Sequence, residues 1–391
     1  MSRPTFEVAD IVQAQGNRFV DCHRKWLSYQ QLNVLRAIAR CRTSALGGHL
    51  DACSRCGHQV ISYNSCRNRH CPKCQAQARQ HWLAAREQEL LEVSYFHVVL
   101  TLPHQLNTLV RANPALLYNL LFSASAKTLL EVAADPKHLG AEIGFFSILH
   151  TWGQNLMLHP HIHCVIPLGG LTADRQRWIY PRYPFFLPVK VLSRVFRGKF
   201  VAGLKRAYRR KLLQLSGELR HLQQPKHFAA FSRMLFRQDW VVYAKPSFGG
   251  AESVLRYLGR YTHRVAISNH RLLDFDGESV TFRWKDYAHG NKKRKMTLSA
   301  VEFLRRFVQH ILPLGFVRIR YFGFLANRWR ARLIPLSRQL QGNAPPSLPS
   351  KENADKVTAT WLCPRCGSLM LVCERLTAQQ LGSRLAAIDT S

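Results

Sequence analysis

The sequence predicts an α+β protein fronted by a small zinc-binding domain, on three observations. Seven of the eleven cysteines lie between residues 22 and 74, so one end differs chemically from the middle. From about residue 91, short apolar runs rich in β-branched and aromatic side chains are bounded by Gly, Pro, Asn or Asp, as strands are. Helical periods lie between those runs. Three parts follow: 1–90 for zinc, 91–325 as the α+β domain, and 326–391 as a basic tail, a linker and a C-terminal Cys-x2-Cys segment.

The strand-like runs are SYFHVVLTLP, GFFSILHTW, HIHCVIPLGG, DWVVYA and SVTFRW. A basic helical insertion covers about 185–235, carrying Arg194, Arg197, Lys199, Lys205, Arg206, Arg209, Arg210 and Lys211. Ser299 with Glu302 forms a capping-box signature for a helix running to Pro313. The stretch QGNAPPSLPSKENAD reads as a linker ahead of the last segment.

Composition narrows the function. There are 56 Lys and Arg against 23 Asp and Glu, a formal charge of +33 in 391 residues. Such a chain repels itself unless a polyanion is near, and nucleic acid is the simplest one. At 47% apolar it is too hydrophobic for a disordered basic tail. The opening MSRPTFEVADIV has no secretory pattern, and no run reaches the roughly 18 apolar residues of a membrane span. A cytoplasmic protein without a membrane partner is expected, and in that reducing compartment eleven cysteines point to metal rather than disulfides.

Cys53-x2-Cys56 and Cys71-x2-Cys74, fourteen residues apart, have the spacing of two thiolate knuckles around one tetrahedral Zn²⁺. Four filled positions leave no open site, so this zinc is structural. His49, His58, Cys66 and His70 stand close enough to replace a ligand or to build a second centre. Arg55, Arg67, Arg69 and Lys73 give the segment charge for phosphate contact or simply a solvated surface. Cys363-x2-Cys366 is half a ribbon, with Cys373 as a candidate third ligand, and reads equally as a degenerate knuckle or as a site completed by another segment.

His161-Ile162-His163 lies on a strand, where period-two alternation puts both imidazoles on one face. By itself the pattern fits packing as well as metal binding. Tyr257 and Tyr261, in ESVLRYLGRYTHRV, stand one helical turn apart, and with Val254 and Leu258 they also fit a core-facing stripe. Arg256, Arg260, His263 and Arg264 flank them, and Lys292, Lys293 and Arg294 follow Trp284 and Tyr287; both groups suit either nucleic-acid contact or solvent.

Taken together these features resemble bacterial rolling-circle insertion-sequence transposases of the His-hydrophobic-His superfamily, two-tyrosine class, the IS91 kind. The resemblance runs from about residue 10 to 325 through LGGHLDACSRCG, SYNSCRNRHCPKCQ, HVVLTLPH, TWGQNLMLHPHIH, YLGRYTHRVAISNHRL and FLRRFVQHILPLGF. It implies an antiparallel-sheet nuclease fold over 91–325, in which His161 and His163 hold catalytic Mg²⁺ or Mn²⁺. A third ligand is implied, with Gln154 first and His150 and His159 next. Tyr257 and Tyr261 become the nucleophiles that cut DNA to a 5′-phosphotyrosine, and Arg256, Arg260, Arg264, Lys292, Lys293 and Arg294 bind DNA. The partners implied are single-stranded DNA at element ends and target, and a host helicase, since GxxxxGK[ST] is absent. The location implied is the bacterial nucleoid. A plasmid replication initiator or relaxase of the same superfamily, or a non-catalytic zinc nucleic-acid-binding protein, are the alternatives.

Overall fold

Runs of alternating or continuous apolar character become strands, in the order β1 (Gly48–Cys53), β2 (Gln59–Tyr63), β3 (Tyr95–Thr101), β4 (Gly144–Trp152), β5 (Leu158–Pro167), β6 (Gly170–Leu171), β7 (Trp178–Ile179), β8 (Val242–Pro246), β9 (Leu272–Phe275), β10 (Ser279–Asp286), β11 (Lys292–Ser299), β12 (Ile319–Gly323) and β13 (Met370–Leu376). This computed structural model describes residues 4–74, 82–182, 187–246, 259, 266–286, 289–290, 292–342 and 361–389. The chain is mixed helix and antiparallel sheet, the expected α+β class.

Two compact units form, and neither is continuous in sequence. One contains both chain ends, 1–78, 267–311 and 347–391; the other is central, 79–266 and 312–346. The packing therefore departs from the linear division at 90 and 325. Residues 267–311 fold with the N-terminal segment because β-hairpin and helix residues such as Phe282, Phe303 and Phe307 need an apolar partner.

In the central unit a five-stranded sheet runs in the order β12-β4-β5-β3-β8. One face is closed by helices. Pro114–Ala134 begins with Pro at its first turn, where the missing N–H costs nothing, and buries Leu117, Leu121, Phe122 and Leu129. The basic helix Val189–Arg209 buries Leu192, Phe196, Phe200 and Leu204 and leaves Arg194, Lys205, Arg206 and Arg209 exposed. Together with the short helix Gly217–Gln223 and the helix Pro225–Met234, it makes up the predicted insertion. Those apolar side chains meet Val98 and Leu100 of β3, Phe145 and Leu149 of β4, and Ile162, Cys164 and Ile166 of β5 in one core. The other face carries Tyr95, Phe146, Ile148 and Val165.

The unit of the two ends has a three-stranded sheet, β13-β1-β2, and a second one, β11-β10-β9. Ser299 caps its helix by accepting from the Glu302 N–H, but that helix spans Ala300–Val308 and stops short of Pro313. Among the described residues no helix is long and apolar enough to cross a membrane.

Candidate metal centres

Parity along the strands decides where the histidines go. Because Ile162 and Cys164 enter the helix-packed core, His161 and His163 project from the opposite face of β5. On the neighbouring strand His150 stands directly across from His161, and His163 lies opposite Ile148. His150, His161 and His163 form a group whose ligand nitrogens all lie within 4.8 Å of one another. Their ring centroids are 5.4 Å (His150–His161), 4.3 Å (His150–His163) and 4.8 Å (His161–His163) apart. His150 also stacks on Trp152, 4.7 Å between centroids, which limits how the ring can turn.

Hydrogen bonds select the nitrogen that each ring offers. The Nδ1–H of His161 donates to the His159 carbonyl at 2.6 Å, so its Nε2 keeps the lone pair. His163 Nδ1 lies 2.7 Å from His97 Nε2, with the two rings parallel to within 6°. If His163 donates in that bond, its Nε2 is likewise left as a ligand, the arrangement in which an outer partner orients a metal-binding histidine. His97 sits on β3 opposite Val165 and shares the face of His163. Sequence reading missed it, although alternation in HVVLTLPH carried the signal.

Electrostatics keeps His161, His163 and His97 neutral. Loss of hydration is the main cause of the His161 imidazole being pushed down to about 3, with the neighbouring His159 and His97 adding to it. Burial first, then the charges of His150, His161 and His97, hold His163 well below the ordinary histidine range. Burial alone takes His97 down to about 4. Neutral imidazole is the form that binds metal. Three nitrogens with no carboxylate among them suit a borderline divalent ion better than a hard one, and they would leave its full charge available to an anion. The donor set can hold a divalent ion, and it matches hard Mg²⁺ less well than a borderline ion.

Gln154, the ligand favoured from sequence, lies in the turn between β4 and β5, where Gly153 N–H donates to Met157 O at 2.9 Å. A third imidazole beside His161 and His163 is that of His150. Tyr257, Tyr261, Arg256, Arg260, His263 and Arg264 lie outside the described residues. Lys292, Lys293 and Arg294 are exposed on β11.

The cysteines are partitioned differently from the expected single centre. Cys53, Cys56, Cys71 and Cys74 do not meet; two separate groups form, Cys41–Cys66–Cys71–Cys74 and Cys53–Cys56–Cys363–Cys366, each with its sulfurs within 4.8 Å. The physical reason is that an x2 spacing builds one knuckle and leaves its partner unspecified. In the first group Cys41, just past the helix Tyr29–Ala39, lies 3.5 Å from Cys74, and Cys66 lies 3.6 Å from Cys74. In the second, the contacts are 3.4 Å for Cys53–Cys366 and 3.6 Å for Cys56–Cys363. A tetrahedron with zinc–sulfur bonds of about 2.3 Å has edges of about 3.8 Å, so both groups are close to that size. All are free thiols. Backbone N–H groups of Cys56 and Arg55 donate to the Cys53 sulfur and draw its thiol down to about 6, towards the metal-binding thiolate. Cys373 is exposed and belongs to neither group; His49, His58 and the buried His70 belong to neither as well.

Two family models match the chain: residues 11–102 fit the "Transposase zinc-binding domain" and residues 144–332 fit the family described as "Putative transposase". A relative from Sinorhizobium fredii, "Putative transposase y4qJ", is 52% identical over 91% of this chain and 89% of its own length. This chain belongs to the IS91 family of transposases. The "Transposase for insertion sequence element IS801" of Pseudomonas savastanoi pv. phaseolicola is 29% identical over 78% of this transposase and 72% of its own length. No solved structure matches the transposase. The histidine strands fall inside the second family match and the first cysteine group inside the zinc-binding one, as expected of a transposase with an N-terminal zinc-binding region.

Proposed function

We propose that this transposase nicks and transfers single-stranded DNA through a 5′-phosphotyrosine intermediate, in rolling-circle-type transposition. The observation that carries the reading is the convergence of His150, His161 and His163 on one side of a sheet whose other side is fully packed. Such a face holds the largely buried imidazole cluster while the core behind it fixes its geometry.

In this reading His150, His161 and His163 hold a divalent ion, and Gln154 in the adjoining turn is the candidate for an additional oxygen ligand. Bound there, Mn²⁺ or Mg²⁺ supplies Lewis acidity towards the scissile phosphate, and the all-nitrogen set favours Mn²⁺. His97 keeps His163 in the ligating tautomer. The hydroxyl of Tyr257 or Tyr261 attacks phosphorus; a tyrosyl–phosphorus bond forms, the bond to the 3′ oxygen breaks, and that oxygen leaves as a protonated 3′-hydroxyl. Transfer reverses the step: a 3′-hydroxyl of the target strand attacks the phosphotyrosine and the phenol is released. The ester exchange needs no ATP, and a host helicase would supply unwound strand. Arg256, Arg260 and Arg264 would grip the backbone near the nucleophile, and the charged β10–β11 hairpin would track more of it.

The test uses labelled single-stranded oligonucleotides from the element ends with Mn²⁺ or Mg²⁺. A covalent protein–DNA adduct is expected. It should disappear in the Tyr257→Phe/Tyr261→Phe double variant and in His161→Ala/His163→Ala. If DNA binding persists without any adduct under these conditions, the protein is a zinc-dependent binder and the catalytic reading fails. An adduct formed at a plasmid origin but not at element ends would assign it to replication initiation instead.

A further inference from the structure

We propose that the chain holds a second structural zinc ion, bound jointly by Cys53 and Cys56 at the end of β1 and by Cys363 and Cys366 near the C-terminus. The juxtaposition spans more than three hundred residues: the Cys53–Cys366 pair is separated by 313 positions and Cys56–Cys363 by 307. Both distal cysteines lie far beyond the zinc-binding region matched at residues 11–102.

The two halves are geometrically equivalent. Cys53-Ser-Arg-Cys56-Gly57 and Cys363-Pro-Arg-Cys366-Gly367 have the same spacing. In each the arginine N–H points at the first sulfur, Arg55 to Cys53 and Arg365 to Cys363, both at 3.4 Å. In each the glycine N–H donates to the first cysteine's carbonyl, at 3.2 Å for Gly57 and 2.9 Å for Gly367. Both glycines take left-handed backbone, φ 68° and 72°, which turns the chain so that the pair of sulfurs faces one point. The first cysteine of each knuckle also donates its N–H across its own turn, Cys53 to His58 O at 2.9 Å and Cys363 to Ser368 O at 2.7 Å. A lone knuckle could be a relic. Two with matching turns and interleaved sulfurs make a filled Cys₄ tetrahedron.

The surrounding contacts are those of a clasp. Strand β13 pairs antiparallel with β1 from Gly48↔Leu376 to Cys53↔Met370, which brings the C-terminal knuckle to the end of the N-terminal one. The Ser54 N–H donates to Leu369 O at 3.0 Å. Trp361 Nε1–H donates to the buried Asp51 carboxylate at 3.1 Å, and the Ser62 hydroxyl donates to the same oxygen at 2.5 Å. Around the sulfurs the apolar packing is small: Cys53, Cys363 and Met370, with Val60 and Cys366 at its margin. So few side chains release little free energy on burial, and metal coordination is the term able to hold the C-terminal strand in place.

Zinc counted per chain distinguishes this arrangement from a single N-terminal centre. The count is made on full-length protein carrying His161→Ala/His163→Ala, so that imidazole nitrogens add nothing. Two tightly held ions are expected. Cys363→Ser/Cys366→Ser should retain one, Cys53→Ser/Cys56→Ser should also retain one, and all four changes together should still retain one. Cys41→Ser/Cys74→Ser should lose the other ion. If Cys363→Ser/Cys366→Ser leaves the count unchanged, or the parent holds only one ion, the proposal is overturned. A second measurement on wild-type protein avoids variants that fail to fold. In the zinc-loaded chain a thiol-alkylating reagent should modify the exposed Cys22 and Cys373 quickly and spare Cys56, although Cys56 is exposed too. Chelation should release Cys56 and Cys366 together. Modification of Cys366 in loaded protein at the rate of Cys373 would also overturn it.

Discussion

Two antiparallel sheets present metal-binding side chains, and they are stabilised in opposite ways. Among the described residues, the buried apolar contacts at the second cysteine group of the three-stranded β13-β1-β2 sheet are Cys53, Cys363 and Met370. The five-stranded sheet that carries His150, His161 and His163 is backed by a large core including Phe145, Leu149, Ile162, Ile166, Leu121 and Phe200. In the first, the ligands are the core, so an ion would build the fold. In the second the core exists without the ligands, so an ion would find its site already formed. A structural and a catalytic ion would thus separate according to which part of the energetics each replaces.

The largest effect should come from removing zinc. Structural zinc contributes an apparent 10–16 kcal/mol in small finger peptides, roughly, far more than a handful of apolar contacts can return. Strong chelation should raise amide exchange in β1, β2 and β13 to near that of unfolded chain, while β3, β4 and β5 keep their protection. Hydrogen exchange with mass spectrometry reads both sheets in one sample. Equal protection of the three-stranded sheet with and without chelator would erase the contrast.

A smaller effect tests whether the histidine face is set by its own surroundings. His97→Ala removes the 2.7 Å partner of His163 Nδ1 and leaves the helix-packed side untouched. Loss of an outer hydrogen-bond partner typically weakens metal affinity about 10–100-fold. Mn²⁺ titration followed by magnetic resonance should show a weakening of that order, with the melting temperature nearly unchanged. His97→Gln, whose amide can still accept the bond, should recover part of it. Unchanged affinity in His97→Ala would mean that the strand geometry alone orients His163.

Legibility followed the range of the interaction. Alternation along one strand put His161 and His163 on a common face without any knowledge of neighbours. Bringing His150 beside that pair required cross-strand register, and that register shifts between His150 and Trp152, so sequence named His150 only after Gln154. Gln154 is nearer in sequence and lies in the reversal between the two strands. The cysteines teach the same lesson more sharply: each x2 pair announced a knuckle, yet nothing local said that Cys53 and Cys56 meet residues 363 and 366, or that Cys71 and Cys74 meet the single cysteines at 41 and 66. Strands in the middle of the chain were readable because their apolar runs are long relative to their turns.

The least perturbing prediction concerns the charged hairpin, where alternation again divides what sequence grouped. In the β10–β11 ladder Arg283 pairs with Lys295 and Lys285 with Lys293, whereas Trp284 pairs with Arg294 and Asp286 with Lys292. Arg283, Lys285, Lys293 and Lys295 therefore share one face, and Lys292 and Arg294 lie on the other, where Arg294 reaches the Asp286 carboxylate at 3.1 Å. Like charges directly across a ladder disfavour the hairpin; a polyanion laid along the four-cation face would offset that repulsion, whereas Arg294 lies beside the Asp286 carboxylate. Each phosphate contact with a single strand contributes roughly 0.7 to the slope of log affinity against log salt. Lys285→Gln/Lys293→Gln/Lys295→Gln should then lower that slope by about 2 on oligonucleotides of any sequence, and Lys292→Gln/Arg294→Gln by much less. Equal losses from the two sets would place the strand over the hairpin tip rather than along one face, and no change in either slope would remove the hairpin from the DNA path.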